Sequence, residues 1–467
     1  MSSPNRREFI KKASAAAFAL HAGSALAAPA KRPNILIIFA DQLSLDALTS
    51  PARRGFIHTP NLDALGAASM SFTRAYASNP LCVPSRTSMF TGRYPVETGI
   101  ESNESAKRLD PATFPCMGTI FRQAGYQTTY FGKWHLPYPP TELASHGFEQ
   151  VEAKVIDTET ADQVVDFLGK PHPSPFLAVA SFLNPHNICE WARGDALDQG
   201  NIGTPPPAQD CPPLRPNHSG QQDEPDIMTL MRRSYQAAPM FPVAAWSDDK
   251  WRQYEWAYYR FIERVDAQVG KVIKSLHNAK LTEETVVLFL ADHGDCQGAH
   301  HWNQKTVFYE ESVKVPLLIS YPGTIKPGSS GQLVNTGVDL IPTLCDFAGI
   351  SKPSVSPGMS LKRVANNSTA KLDRTFIVAS NHLAQGAPVD GVLHSPQGRM
   401  LRSERYKYCV YSEGQHCESL VDLDLDPGEM QNLAGKDKYQ SVLRAHRSML
   451  RNWGSEFDDR FPYLANA

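Results

Sequence analysis

The chain is predicted to be an α/β protein: a large mixed, mainly parallel sheet layered with helices, followed by a smaller α+β subdomain with an antiparallel sheet. Three observations predict this. Four apolar runs of strand length are continuous rather than alternating, as in strands buried on both faces of a parallel sheet. Helical patterns lie between these runs. After Ile350 the strand–helix alternation gives way to short strands in succession.

Along the chain, Arg6-Arg7-Glu8-Phe9-Ile10-Lys11-Lys12 leads into an alanine-rich stretch, and then into small residues at Ser24-Ala25-Leu26-Ala27-Ala28. Residues 1–28 thus read as a bacterial twin-arginine signal peptide, which the twin-arginine translocase uses to export folded proteins to the periplasm or beyond. Its apolar run is too short to span a bilayer, and no later segment could, so no stable membrane insertion is expected. Asn34 to Ala40 is the first strand, ending at Asp41. Asn61 to Ser69 is a short helix opened by Pro60, and Asp110 to Ala124 a second with Gly125 as its C-cap. Tyr126 to Phe131 is a strand ending at Gly132-Lys133-Trp134-His135. Phe176 to Phe182 is the next, ending near Asn184-Pro185-His186.

Residues 188–245 form a proline-rich insertion, with Pro205-Pro206-Pro207 and Cys211-Pro212-Pro213. Such a long loop directly after His186 is expected to roof a site and select its ligand. Asp248 to Ala279 is the longest helical pattern, and its aromatic stripe is core packing. Thr285 to Ala291 is the fourth buried strand, ending at Asp292-His293-Gly294. These elements make a main domain over 32–360. The subdomain, 361–467, carries strands at Thr375–Ala379, Gly398–Ser403, Tyr406–Tyr411 and Glu418–Asp422 and a final helix from Tyr439 to Trp453.

In open α/β sheets, ligands bind beyond the carboxyl ends of the strands. Asp41, Lys133, His135, His186, Asp292 and His293 are therefore expected on one edge. With 46 Lys+Arg against 48 Asp+Glu, no global field favours nucleic acid. Eight cysteines without a C-x-x-C spacing argue against structural zinc. Cys409 and Cys417 flank the turn Ser412-Glu413-Gly414-Gln415, where a cross-strand disulfide is geometrically possible.

Cys82-Val83-Pro84-Ser85-Arg86 continues as Thr87-Ser88-Met89-Phe90-Thr91-Gly92-Arg93. This C-x-P-S-R with a T-x-x-x-T-G-R tail resembles the signature of type I, formylglycine-dependent sulfatases. Gly132-Lys133-Trp134-His135-Leu136, Asp292-His293-Gly294, Trp302-Asn303-Gln304-Lys305 and the closing Asp426-Pro427-Gly428-Glu429 follow in that family's order, so the resemblance spans nearly all of residues 32–467. It is similar in kind to exported bacterial sulfatases of the iduronate-sulfatase and choline-sulfatase type. The resemblance implies an alkaline-phosphatase-like sandwich and hydrolysis of sulfate monoesters, with a sulfated carbohydrate favoured as substrate. Phosphonate monoester or phosphodiester hydrolysis within the same superfamily is the alternative.

The resemblance also implies residue roles. Cys82 would be oxidised to Cα-formylglycine by a formylglycine-generating or anaerobic sulfatase-maturing enzyme. One divalent cation, Ca²⁺ first and Mg²⁺ or Mn²⁺ as alternatives, would be held by Asp41, Asp292, His293 and the matured Cys82 side chain, with Gln42 as a weaker ligand. Many relatives have a second aspartate where this chain has Gln42. Lys133 and Lys305 would bind sulfate, Arg86 orient the hydrated aldehyde, His186 protonate the leaving alcohol and His135 take the proton that lets sulfate depart. His300 and His382 are expected to contact substrate.

Overall fold

The computed structural model describes residues 32–462; the expected signal peptide lies outside them. Fourteen strands occur among the described residues: β1 Asn34–Asp41, β2 Met70–Phe72, β3 Ala75–Tyr76, β4 Gln127–Gly132, β5 Gln150–Glu152, β6 Phe176–Pro185, β7 Thr285–Ala291, β8 Leu317–Ser320, β9 Gly328–Ser330, β10 Val334–Asn335, β11 Phe376–His382, β12 Gln397–Ser403, β13 Tyr406–Tyr411 and β14 Glu418–Asp422. Eight form one mixed sheet in the order β5-β4-β6-β1-β7-β8-β2-β9. The first five are parallel throughout, β8 is antiparallel to both neighbours, and β2 and β9 pair in parallel. The fold class expected from the sequence is therefore the one observed.

Every residue of β1 and β7 is buried, which is why their sequences run apolar without alternation. Two helix pairs cover the sheet. Asp248–Asn278 and Asp157–Leu168 pack together and against β6. Cys82–Thr91 packs on Thr336–Ala348 and reaches β1 through the stacked rings of Phe39 and Phe90, 5.8 Å apart. Because β4, β6, β1 and β7 run parallel, their carboxyl ends share one edge. That edge carries Lys133, His186, Asp41 and Asp292.

Gly132, at φ +96°, closes β4; a Cβ there would collide with the carbonyl oxygen of Ser181 on β6. Only glycine lets the chain turn so close to its neighbour and deliver Lys133 to the edge.

The remaining strands include a four-stranded antiparallel meander, β11-β12-β13-β14. Its two faces follow the period of two. Val378, Leu401, Tyr408, Val410 and Leu420 pack with Leu443, Leu450 and Trp453 of the final helix, Gln440–Glu456. Ile377, Ala379, Met400, Cys409 and Tyr411 pack with Ile227, Met228, Met231 and Tyr235. These belong to a 12-residue helix, Asp226–Ala237, inside the proline-rich stretch read from sequence as loop. The insertion thus supplies the cover for one face of the C-terminal sheet. Ile227, Met231 and Tyr235 recur every fourth residue, a stripe that the surrounding prolines obscure.

The hairpin disulfide is not formed, and all eight cysteines are free thiols. The register explains this: Cys409 faces Ser419, while Tyr411 N–H donates to the Cys417 carbonyl at 3.0 Å. Cys409 and Cys417 are diagonal neighbours, typically ~7–8 Å apart, beyond the usual reach of a disulfide.

Candidate active site

Cys82 begins the helix Cys82–Thr91 and is 1 % exposed. Its Sγ lies 3.2 Å from Lys305 Nζ, 3.2 Å from His293 Nε2, 3.9 Å from Asp41 Oδ1 and 4.0 Å from Lys133 Nζ. Burial opposes ionisation of the thiol, but Lys133, Lys305 and His293 outweigh it and hold its pKa well below the ordinary value. His135 and His186 also interact with the thiol. Each keeps a buried Nδ1 without a hydrogen-bond partner, so both imidazoles retain capacity for an incoming group.

One turn further along the same helix, Arg86 is fully buried. Its guanidinium donates to Asp292 Oδ2 at 2.7 Å, Asp41 Oδ2 at 2.9 Å, Ser181 Oγ at 2.8 Å and the Lys133 carbonyl at 3.1 Å. The i, i+4 spacing of Cys82 and Arg86 places both on one helix face. Arg86 thereby binds the ends of β1 and β7 to the helix that Cys82 begins. Lys133 Nζ sits 2.7 Å from Asp41 Oδ2. Burial and the neighbouring Cys82 push the Asp41 pKa up, but Lys133 and Arg86 prevail and hold it far below the usual carboxylate range.

Asp41, Cys82, Asp292 and His293 offer four donor atoms within 4.8 Å of one another. His293 Nδ1–H donates to the Gly294 carbonyl at 2.9 Å, so Nε2 faces the cluster. Burial opposes its charge, but Asp292 and Cys82 raise its pKa, and Nε2 offers a lone pair once that proton is displaced. Asp41 Oδ1 faces it too, because Oδ2 carries both cations. Two carboxylates and one neutral imidazole suit a hard divalent cation, so the residues present fit one. Gln42 Oε1 accepts from Lys305 Nζ at 2.7 Å. Desolvation and the ammoniums of Lys133 and Lys305 depress His186 to about 4.

A profile described as Sulfatase matches residues 33–350, and one described as N-sulphoglucosamine sulphohydrolase, C-terminal, matches 298–455. The chain belongs to the sulfatase family. It is a sulfuric ester hydrolase. It is 31% identical over 451 residues to a Delta 4,5-hexuronate-2-O-sulfatase of Bacteroides thetaiotaomicron, covering 93% of this chain and 91% of that one. A solved structure of a 2-O GAG sulfatase superposes with a TM-score of 0.77 at 28% identity, covering 93% and 96%. The phosphonate monoester hydrolase of Agrobacterium radiobacter shares the fold, at a TM-score of 0.67 and 22% identity over 91% and 96%.

In this sulfatase, ten of the twelve site residues read from sequence gather at the one sheet edge: Asp41, Gln42, Cys82, Arg86, Lys133, His135, His186, Asp292, His293 and Lys305. The other two lie apart from that cluster. His300 is buried and stacked on Tyr309, ring centroids 3.8 Å apart, with both ring nitrogens unpartnered. His382 Nε2 bonds Ser395 Oγ at 2.8 Å. Its neighbour Asn381 approaches the site instead, donating to the Thr306 carbonyl beside Lys305 at 2.6 Å.

Sequence reasoning passed over Ser181, which receives an Arg86 bond, and Asp295, which receives one from Gln42 Nε2 at 2.7 Å. Asp295 stands three residues past Asp292, and that spacing was the available signal. Gln42, His135, Gln304 and Thr306 all have positive φ, a concentration of unfavourable backbone expected where a site is held in shape.

Burial, with Lys407 and Arg232 nearby, holds His300 at about 3. The unfolded imidazole takes up a proton below pH ~6.5, and the folded one does not until far lower. Stability is therefore lost as pH falls through that window, by about 2 kcal/mol at pH 5 from this residue. His300→Phe keeps the ring stack. Urea unfolding at pH 8 and pH 5 should show a smaller drop for the variant than for the wild type; equal drops would contradict the assignment.

Proposed function

We propose that this sulfatase is an exported enzyme that removes sulfate from carbohydrate, using Cys82 matured to formylglycine and one divalent cation. The observation that carries the reading is Cys82 Sγ seated 3.2 Å from Lys305 and 4.0 Å from Lys133, beside two carboxylates already gathered by Arg86. The hydrated aldehyde would supply a hydroxyl to attack sulfur, and a second hydroxyl whose ionisation releases sulfate. Asp41, Asp292 and His293 would hold the cation, with Gln42 beside them; when bound, it would supply charge that polarises sulfate oxygens.

The protein's own groups divide the remaining tasks. Lys133 and Lys305 bind sulfate oxygens, and both are largely buried, so their attraction is little screened. Arg86 fixes the position of residue 82 through the helix they share. His186, partly exposed and so within reach of an incoming ester, is assigned to protonate the leaving alcohol. It is neutral because burial disfavours its charged form and the ammoniums of Lys133 and Lys305 repel its proton. A bound sulfate ester offsets those charges and lets it act as the acid. His135 takes the proton of the second hydroxyl. His382 is assigned to a wider substrate surface; His300, fully buried against Tyr309, is not.

Carbohydrate is favoured by the relatives named for hexuronate and GAG sulfate. Among the described residues no helix is long and apolar enough to cross a membrane. The leader would take the matured, folded enzyme through the twin-arginine translocase to the periplasm or beyond. Ca²⁺ is the proposed cation.

The test compares kcat/KM for matched aryl sulfate, phosphate diester and phosphonate monoester, followed by a panel of sulfated oligosaccharides that includes 2-O-sulfated uronates. Sulfate release from a glycan, with aryl sulfate the best of the three esters, is expected. Phosphonate or diester turnover well above sulfate turnover, with no glycan desulfated, would replace this reading with a phosphoester one.

A further inference from the structure

The Gln42 side chain lies between two unlike neighbours. Its Oε1 is 2.7 Å from Lys305 Nζ, and its Nε2 is 2.7 Å from Asp295 Oδ2. An ammonium only donates and a carboxylate only accepts, so the pair together dictates which end of the amide points where. The oxygen is turned to the side of Lys305, whose Nζ is 3.2 Å from Cys82 Sγ. The amide nitrogen is turned to Asp295; the Cys189 thiol, 3.4 Å from Nε2 and 3.5 Å from Oε1, does not discriminate between the two ends.

Asp295 is itself fixed. Oδ1 accepts from the Gln297 backbone N–H at 2.7 Å, and the Tyr254 hydroxyl donates to Oδ2 at 3.0 Å and to Oδ1 at 3.2 Å. Gln42, Tyr254 and Asp295 are all 0 % exposed, so bulk water does not compete for these bonds. The backbone of Gln42 is also tied down. Its N–H donates to Asp292 Oδ1 at 3.1 Å, and its carbonyl accepts from Tyr258 at 2.7 Å.

We infer that Asp295, backed by Tyr254, is a positioning residue of the cation site: it holds the Gln42 amide so that Oε1 rather than Nε2 is presented to a cation bound by Asp41, Asp292 and His293. The inference rests on the divalent-cation reading above. It gives a physical reason for glutamine at position 42. A carboxylate there would face the Asp295 carboxylate in a dry interior, whereas an amide satisfies an acceptor on one side and a donor on the other.

Asp295→Asn tests this with almost no change in shape. The Gln297 N–H retains the asparagine oxygen, so the asparagine NH₂ turns to Gln42. The Gln42 amide must then rotate and present its own NH₂ to Lys305 and the cation. Metal-stripped mature protein titrated calorimetrically with Ca²⁺ and with Mg²⁺ should bind roughly 10–100-fold more weakly in the variant. Tyr254→Phe, which keeps the charge on Asp295 and removes one of its bonds, should weaken binding severalfold and serves if Asp295→Asn does not fold.

In a Gln42→Met background there is no amide to orient, and Asp295→Asn should change the Kd by less than about threefold. Gln42→Glu combined with Asp295→Asn should recover wild-type affinity, because the carboxylate accepts from the asparagine NH₂. Equal weakening in the Gln42→Met background would mean that Asp295 acts through charge alone and would overturn the inference. So would an unchanged Kd in a folded Asp295→Asn protein. A wild type that binds neither cation would instead remove the metal reading, and this inference with it.

Discussion

Cys82→Ala is expected to give a folded protein that no longer releases sulfate. On the proposed mechanism, loss of the residue 82 side chain should lower kcat/KM by roughly 10⁴-fold or more, since the lysines and imidazoles assigned to substrate could not replace the attacking group. The stability cost should be small, about 1 kcal/mol or less, because only one sulfur atom is removed from a site with polar walls. Circular dichroism and a urea midpoint near the wild type would show that the fold survives. Activity within tenfold of the wild type would exclude residue 82 as the nucleophile. Cys82→Ser serves as a second arm: a serine sulfate lacks the second hydroxyl that releases sulfate, so turnover should stop after one cycle at most.

Arg86→Met should be as damaging to the fold as Cys82→Ala is to the chemistry. Arg86 is 0 % exposed and binds Asp41 and Asp292, themselves 0 % exposed. Removing the guanidinium leaves two buried carboxylates with one partner fewer each, at a cost of about 3–5 kcal/mol. Arg86→Lys should recover only part of this. A lysine is a single point donor and cannot span β1, β7, Ser181 Oγ and the Lys133 carbonyl together. Urea or guanidinium unfolding measures both variants. A loss below about 1 kcal/mol for Arg86→Met would show that the strand ends are held together by something else.

The site edge was legible in the sequence for a definite reason. Strands buried on both faces cannot alternate, so β1, β6 and β7 announce themselves as apolar runs, β4 only through Tyr126, Tyr130 and Phe131 around its threonines, and the polar residue ending each marks the ligand edge. Asp41, Lys133, His186 and Asp292 follow from that alone. The three-residue strands β2 and β9 carry too little pattern to be seen, and the order β8-β2-β9 is set by tertiary pairing. The helix Asp226–Ala237 was hidden because proline-rich flanks dominate its composition, while its partner face on the C-terminal sheet lies far away in sequence. Asp295 was missed since it touches the cluster through Gln42, and its nearness to Asp292 in sequence was the one faint sign of it. His300 was read from motif order, which carries no information about which way a residue at φ +52° turns its ring.

The central claim is that residue 82 of the working enzyme is no longer a cysteine. Peptide mass spectrometry of the Cys82 segment, on the same preparation whose sulfate release is assayed, tests it most directly. The account predicts that the thiol sulfur is replaced by a carbonyl oxygen, and that sulfate release per mole of protein rises in proportion to the converted fraction across preparations made with and without the maturing enzyme. Full activity from a preparation in which residue 82 is wholly unmodified cysteine would contradict it.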